Sequence, residues 1–152
     1  MRGLAAQAAL LAVLIASGCA QPPQSAAPTY QIKVGKANAT VEIAATPQER
    51  ALGLSNRQAI GENEGMLFVF SAPGTVSFWM KDTYVPLSIA FIDADMEVTD
   101  IQDMEPQTLD AHRSPEGVVM ALEMPAGWFG RNGVALGDRV EIPREAAAIA
   151  PR

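Results

Sequence analysis

Two apolar runs flank a short polar elbow, Lys81-Asp82-Thr83, and together they form the densest apolar stretch of the chain outside its N-terminal leader. Before the elbow, Val76, Phe78 and Met80 alternate with Thr75, Ser77, Trp79 and Lys81. Successive side chains of a strand point to opposite faces, so this alternation predicts a half-buried strand. After the elbow, Pro86 suits the first residue of a strand because it has no N–H to donate. Leu87, Ile89 and Phe91 then share one face, and Ser88, Ala90 and Ile92 the other. The first face is core. On the second, Ser77, Ser88 and Ala90 are expected to form a floor of small residues on which Trp79 and Lys81 stand. Trp79 is expected to pack beneath a second layer, with a ligand-stacking wall as the alternative.

The same pattern predicts the remaining elements. Tyr30–Val34 and Thr40–Ala44 alternate as strands about a turn at Gly35-Lys36. Thr46-Pro47-Gln48-Glu49 is a helix start: a capping threonine, a proline at the first helical position, and a glutamate that completes a capping box. Gly53 ends this helix. Arg50 and Arg57 lie on it and at its exit, where surface salt bridges are the ordinary expectation. Met66 to Phe70 is a continuous apolar run, read as a strand buried on both faces, and Ser71-Ala72-Pro73-Gly74 as a turn. Asp93 to Met96 reads as a hairpin turn into a strand from Glu97 to Asp103. Val118, Met120, Leu122 and Met124 mark the core face of a further strand, with Val119, Ala121 and Glu123 opposite. Pro125 to Phe129 begins a turn or short helix, and Gly137 to Ile142 is a closing strand. Many short strands separated by turns predict a mainly β fold bordering on α+β. The expected architecture is a β-sandwich or partly open barrel with one or two short helices.

The ends of the chain differ from this centre. Residues 1–18 read as a signal peptide, with Arg2 as the positive end and Leu4 to Ile15 as an uncharged apolar core too short to span a membrane. Ala16-Ser17-Gly18-Cys19 resembles a bacterial lipobox, in which the cysteine is lipidated and becomes the new N-terminus; cleavage after Ala20 is the rival. Cys19 is the chain's one cysteine, so it has no disulfide partner within the chain. Residues 19–29, rich in Pro, Ala and Gln, form a flexible tether from this anchor. A single β-rich domain is expected over 30–143, and 144–152 as a frayed tail. Ala20 rather than Asp follows the cysteine, so the outer membrane is the expected destination in a Gram-negative cell. The lipid would be the only membrane attachment, with no transmembrane span in the mature chain. The net charge is −6, and loss of Arg2 makes it more negative. An acidic domain of this kind is a poor partner for nucleic acid.

Chemistry is sparse. There is no Walker loop, no dinucleotide-binding fingerprint, no internal repeat and no Gly-x-Ser-x-Gly elbow beside Ser114. His112, the only histidine, has no cysteine near it and reads as a surface residue. Asp93, Asp95 and Glu97 resemble the start of a calcium loop, but Val98 stands where such a loop needs glycine, so a solvated acidic turn is expected. Met66, Met80, Met96, Met104, Met120 and Met124 raise a Cu(I) reading, since thioethers suit that soft ion. Several of them fall on predicted core faces, where methionine is ordinary filler. No metal site and no cofactor are expected.

Three blocks taken together resemble domain-of-unknown-function family 192. They are Thr46 to Arg57, Gly65 to Phe70 with Phe78 to Asp93, and Ala121 to Asp138. The resemblance spans Tyr30 to Ile142 and implies a small β-rich domain, often exported, with no established activity. Lys81, Thr83, Pro86 and Glu123 match the family pattern. Ser55, Asp82 and Ser88 stand where it usually has Met, Asn and Asp, and the missing carboxylate at 88 weakens any scheme pairing two acids at the elbow. The candidate ligand-binding residues are Trp79, Lys81, Asp82, Thr83, Glu123 and Arg50, with an ion pair between Lys81 and Glu123 expected if the two strands meet. A non-catalytic binding module for a polar ligand, a glycan being one such, is favoured. An envelope enzyme using Lys81, Asp82 and Glu123 as acid, base or electrostatic groups is the alternative.

Overall fold

The computed structural model describes residues 27–149. The signal peptide, Cys19 and most of the tether lie outside the described residues. The elements run β1 (Thr29–Val34), β2 (Ala37–Ala44), α1 (Pro47–Leu52), β3 (Glu64–Gly74), β4 (Ser77–Phe78), β5 (Leu87–Asp93), β6 (Val98–Met104), β7 (His112–Arg113), β8 (Val118–Pro125), α2 (Trp128–Arg131), β9 (Val140–Glu141) and α3 (Arg144–Ala147). Seven strands form one sheet in the order β6-β5-β8-β3-β2-β1-β9, and β4 pairs with β7 in a small second sheet. Only the β2–β3 pairing is parallel, and α1 lies in that crossover.

The large sheet curls until its ends meet. Val98 N–H donates to the Asp138 carbonyl at 2.9 Å, Gly137 N–H to the Val98 carbonyl at 2.8 Å, and Val140 N–H to the Met96 carbonyl at 2.8 Å. The approach to β6 is thereby stitched to the approach to β9. The mainly β expectation holds, and of the two architectures anticipated the partly open barrel is the one formed.

Both faces of the sheet are covered, which explains the long apolar runs. One buried cluster draws on every strand of the curled sheet: Ile32, Val34, Val41, Leu67, Ala90, Ile92, Val98, Leu122, Met124 and Val140 are among its members. Trp128 and Phe129 of α2 plug this interior, their rings edge to face at 5.3 Å. Trp128 Nε1–H donates to the Asn63 side-chain oxygen at 2.9 Å, giving the buried indole its partner. The second cluster lies on the outer face of β3, β5 and β8, where Met66, Phe68, Leu87, Ile89, Phe91, Val118 and Ala121 meet Leu54, Met80 and Val85 from the connections.

Some local expectations change. Residues 71–74, expected as a turn, continue β3; the pairing with β8 breaks register between Val69 and Gly74, so the run bends without ending. Val118 leaves the face it would share with Met120 and joins the outer cluster, because a second irregularity falls between Ile92 and Asp93. Residues 75–81 alternate as predicted, but only Ser77 and Phe78 make ladder pairs, with Arg113 and His112. Ser88 and Ala90 face the barrel interior, so they form no floor with Ser77. Ser88 accepts from Gly127 N–H at 2.8 Å and donates to Asp103, pinning the turn before α2. The tail begins with a helical turn, α3, whose Ala146 is buried. Met66, Met80 and Met104 are buried in the outer cluster and Met124 in the interior, with Met96 and Met120 half-buried against it. At the acidic turn, Asp93 accepts from Asp95 and Glu97 N–H, each at 3.0 Å, and so caps its own loop.

Candidate functional site

The outer cluster is incomplete on one side. Between α1 and the stretch 76–83, above β3 and β8, lies a cavity of about 400 Å³. Its framework follows from local chemistry. Thr46 and Glu49 form the capping box read from the sequence: Glu49 N–H donates to Thr46 Oγ1 at 3.2 Å, and Thr46 N–H to the Glu49 carboxylate at 2.8 Å. Gly53, at φ 52°, turns the chain out of the helix in a conformation that only glycine adopts cheaply. This aims Leu54 into the outer cluster, with Ser55 and Leu52 at the cavity. On the far side, Phe78 meets Phe68 edge-on at 4.9 Å, Phe70 at 6.5 Å and Phe91 at 6.0 Å.

Glu123 lines this cavity and is only 5 % exposed. It lies in the middle of β8, opposite Met66 on β3 and Ile89 on β5, both of which present apolar chains to the outer cluster. Among the described residues its carboxyl makes no hydrogen bond and no salt bridge, and no fully buried side-chain oxygen there lacks a partner, so its oxygens open onto the cavity. With nothing to offset the loss of water, burial pushes the carboxyl up to about 8 from an ordinary 4.5. The backbone there is closely packed. Gly65 approaches so closely that a Cβ would collide with the Glu123 carbonyl and the Met124 sulfur.

Four of the six candidate residues are brought together: Arg50, Trp79, Thr83 and Glu123 all line the cavity. Arg50 is engaged rather than loose. It donates to the Ala45 carbonyl at 2.5 Å and the Val69 carbonyl at 3.0 Å, and its guanidinium lies 5.7 Å from the Phe70 ring centre. Arg57 makes the expected surface pair, a two-pronged contact with Glu42 at 2.6 and 2.8 Å that holds its pKa above the usual range. Trp79 overturns its expectation of packing under a second layer, for it is 62 % exposed and stands at the cavity mouth. Thr83 is buried, and its hydroxyl donates to the Lys81 carbonyl at 3.2 Å. Lys81 and Asp82 are exposed outside the lining, and the Lys81–Glu123 ion pair does not form. Asp82, at φ 55°, makes the elbow itself, its carbonyl accepting from Asn56 N–H at 2.8 Å. His112 is half-buried beside Gln102, 3.2 Å from its side-chain oxygen.

The sequence reading missed the aromatic wall. Phe68, Phe70 and Phe78 line the cavity with Trp79, and α1 with its exit supplies Leu52, Leu54 and Ser55. The signal was present in the concentration of rings: these are four of the chain's nine aromatic residues. Their convergence depends on the fold bringing 50–55 over 68–79, which no local pattern encodes.

These features define a class of protein, a small, partly open β-barrel domain with an acid-bearing pocket on its outer face. The chain belongs to the domain of unknown function 192 (DUF192) family, described as uncharacterized ACR, whose match covers residues 30–142. Solved structures resemble it, two among them being these. One, from Sinorhizobium meliloti 1021 and provisionally named a transcription regulator, is 33% identical with a TM-score of 0.73, the match covering 78% of this chain and 97% of that one. The other, a protein of unknown function from Novosphingobium aromaticivorans DSM 12444, is 30% identical with a TM-score of 0.72, covering 83% and 94%. A search of curated proteins found no match. Among the described residues no helix is long and apolar enough to cross a membrane.

Proposed function

We propose that this protein is a non-catalytic binding module of the bacterial cell envelope, exported, anchored by a lipid on Cys19, and taking a small polar ligand into the outer-face pocket. The observation that carries the binding reading is Glu123, a largely buried carboxyl with no protein partner among the described residues, at a cavity whose walls include Phe68, Phe70, Phe78 and Trp79. A buried polar group without a partner is costly to keep. A ligand that supplies the partner recovers that cost, and the exposed Trp79 gives it a face to stack on. The enzyme alternative asked Lys81, Asp82 and Glu123 to act together. Lys81 and Asp82 stand outside the lining, which favours binding over that three-residue scheme.

The test is equilibrium binding of the purified protein to a panel of small polar solutes, neutral sugars and amines included, beside Trp79→Ala and Glu123→Gln. Saturable binding that both variants weaken is expected. Binding that neither alters places the ligand elsewhere and overturns the pocket reading. Export is tested separately: Cys19→Ala is expected to leave the precursor unprocessed or free of the membrane fraction. A processed Cys19→Ala protein that still partitions with membranes contradicts lipid anchoring.

A further inference from the structure

We propose that the pocket is a site for a small organic cation, an alkyl or quaternary ammonium group seated against Glu123 and walled by Phe68, Phe70, Phe78 and Trp79. This rests on the reading of the pocket as a ligand site and names the class of ligand it takes.

The polar groups at the cavity decide the class. A sugar ring carries hydroxyls on most of its edge and needs several donors and acceptors around it. Here the hydroxyls are few and mostly spoken for: Thr83 bonds the Lys81 carbonyl at 3.2 Å and Ser55 reaches the same carbonyl at 3.5 Å. What remains is one carboxyl and the hydroxyl of Ser77 among rings and aliphatic chains. That combination suits a ligand with one compact positive charge and an apolar exterior, because ring faces attract cations and a carboxylate neutralises them. The cation already there cannot do this. Among the described residues that line the cavity Arg50 is the one cation, and it is held by two carbonyls and the face of Phe70. The groups packed around Glu123 are otherwise uncharged. Met66 and Ile89 flank it in the sheet, Ser77 and Thr83 face the cavity from the covering stretch, α1 contributes Leu52 besides Arg50, and the turn after it Leu54 and Ser55. The free pocket therefore holds Glu123 as the neutral acid, and an arriving cation displaces its proton to solvent.

Choline and its uncharged isostere 3,3-dimethylbutan-1-ol isolate the charge, with glucose as the sugar probe. The experiment is calorimetric titration of the purified full-length protein. Choline is expected to bind at least tenfold more tightly than the isostere, releasing a proton seen as a buffer-dependent heat. Its affinity is expected to rise by roughly tenfold per pH unit below a plateau near 8, because a permanent cation selects the ionised acid. Glu123→Gln, uncharged and of the same shape, is expected to abolish the pH dependence, and Trp79→Ala to weaken binding about tenfold while leaving the pH dependence intact. Glucose binding without choline overturns the cation assignment and leaves the binding pocket standing. Failure of both at roughly millimolar concentration overturns both. Equal affinity for choline and the isostere also overturns the cation assignment.

Discussion

The two faces of the curled sheet are built from the same strands but to different standards. Inside, the buried polar groups are satisfied: the Ser88 hydroxyl by Gly127 and Asp103, and the indole nitrogen of Trp128 by Asn63. Outside, the same β8 that sends Leu122 and Met124 inward sends Glu123 the other way, into a cavity with no partner. Parity alone separates these neighbours, since adjacent residues of a strand face opposite sides. The contrast shows what each face is for. The interior carries stability, with well-filled space and satisfied atoms. The outer face gives some stability up, and a group kept under that strain is a mark of function.

The contrast is broken most forcefully by removing the plug. Trp128→Ala is expected to cost roughly 3–5 kcal/mol in urea unfolding, since it removes a fully buried side chain and opens a cavity in the interior. A loss below about 1 kcal/mol would mean the interior is not what holds the barrel.

Glu123→Gln acts in the opposite direction. The unfolded carboxyl titrates at its ordinary value of 4.5 and the folded one at about 8, so the folded state holds the extra proton between those limits. The acid's contribution to stability is therefore fully present below about 4.5 and is lost as pH rises through 8. At about 1.4 kcal/mol per unit the whole window is worth up to about 5 kcal/mol. Glutamine cannot ionise, so the variant is expected to unfold at a more nearly constant free energy and to exceed the parent above pH 8 by roughly 2–5 kcal/mol. Parallel pH–stability curves for the two proteins would contradict the unpaired acid.

At the small end stands the elbow. Lys81 is exposed and pairs with no acid of the described residues, so Lys81→Ala is expected to shift stability by less than about 0.5 kcal/mol. It is also expected to leave ligand binding intact, because Lys81 lies outside the lining. Loss of binding in a folded Lys81→Ala protein would return the site to the elbow.

Much of this was legible residue by residue. The capping box at Thr46 and Glu49, the stop at Gly53, and the opposite facing of Glu123 and Leu122 follow from local spacing, and the structure has all three. Periodicity says which side a residue faces but not what lies across from it. Ser88 and Ala90 on the second face of β5 therefore read as a floor of small residues with Ser77, when each face of the sheet has its own packed core. Trp79 read as packed for the same reason: alternation could not tell a covered outer face from the open mouth of a cavity. Val118 shows the other limit, because a register irregularity moves a residue to the opposite cluster and leaves no mark in the pattern of apolar positions. The pocket needed the crossover that lays 50–55 against the outer face, a contact between distant segments.

The most direct test is a carbon-13 NMR titration of the Glu123 side-chain carboxyl in the ligand-free protein. The expected midpoint is near 8, moving down when choline is added. A midpoint in the ordinary glutamate range, about 4.3, would mean that the carboxyl is solvated or paired, and the account of the outer face would be wrong.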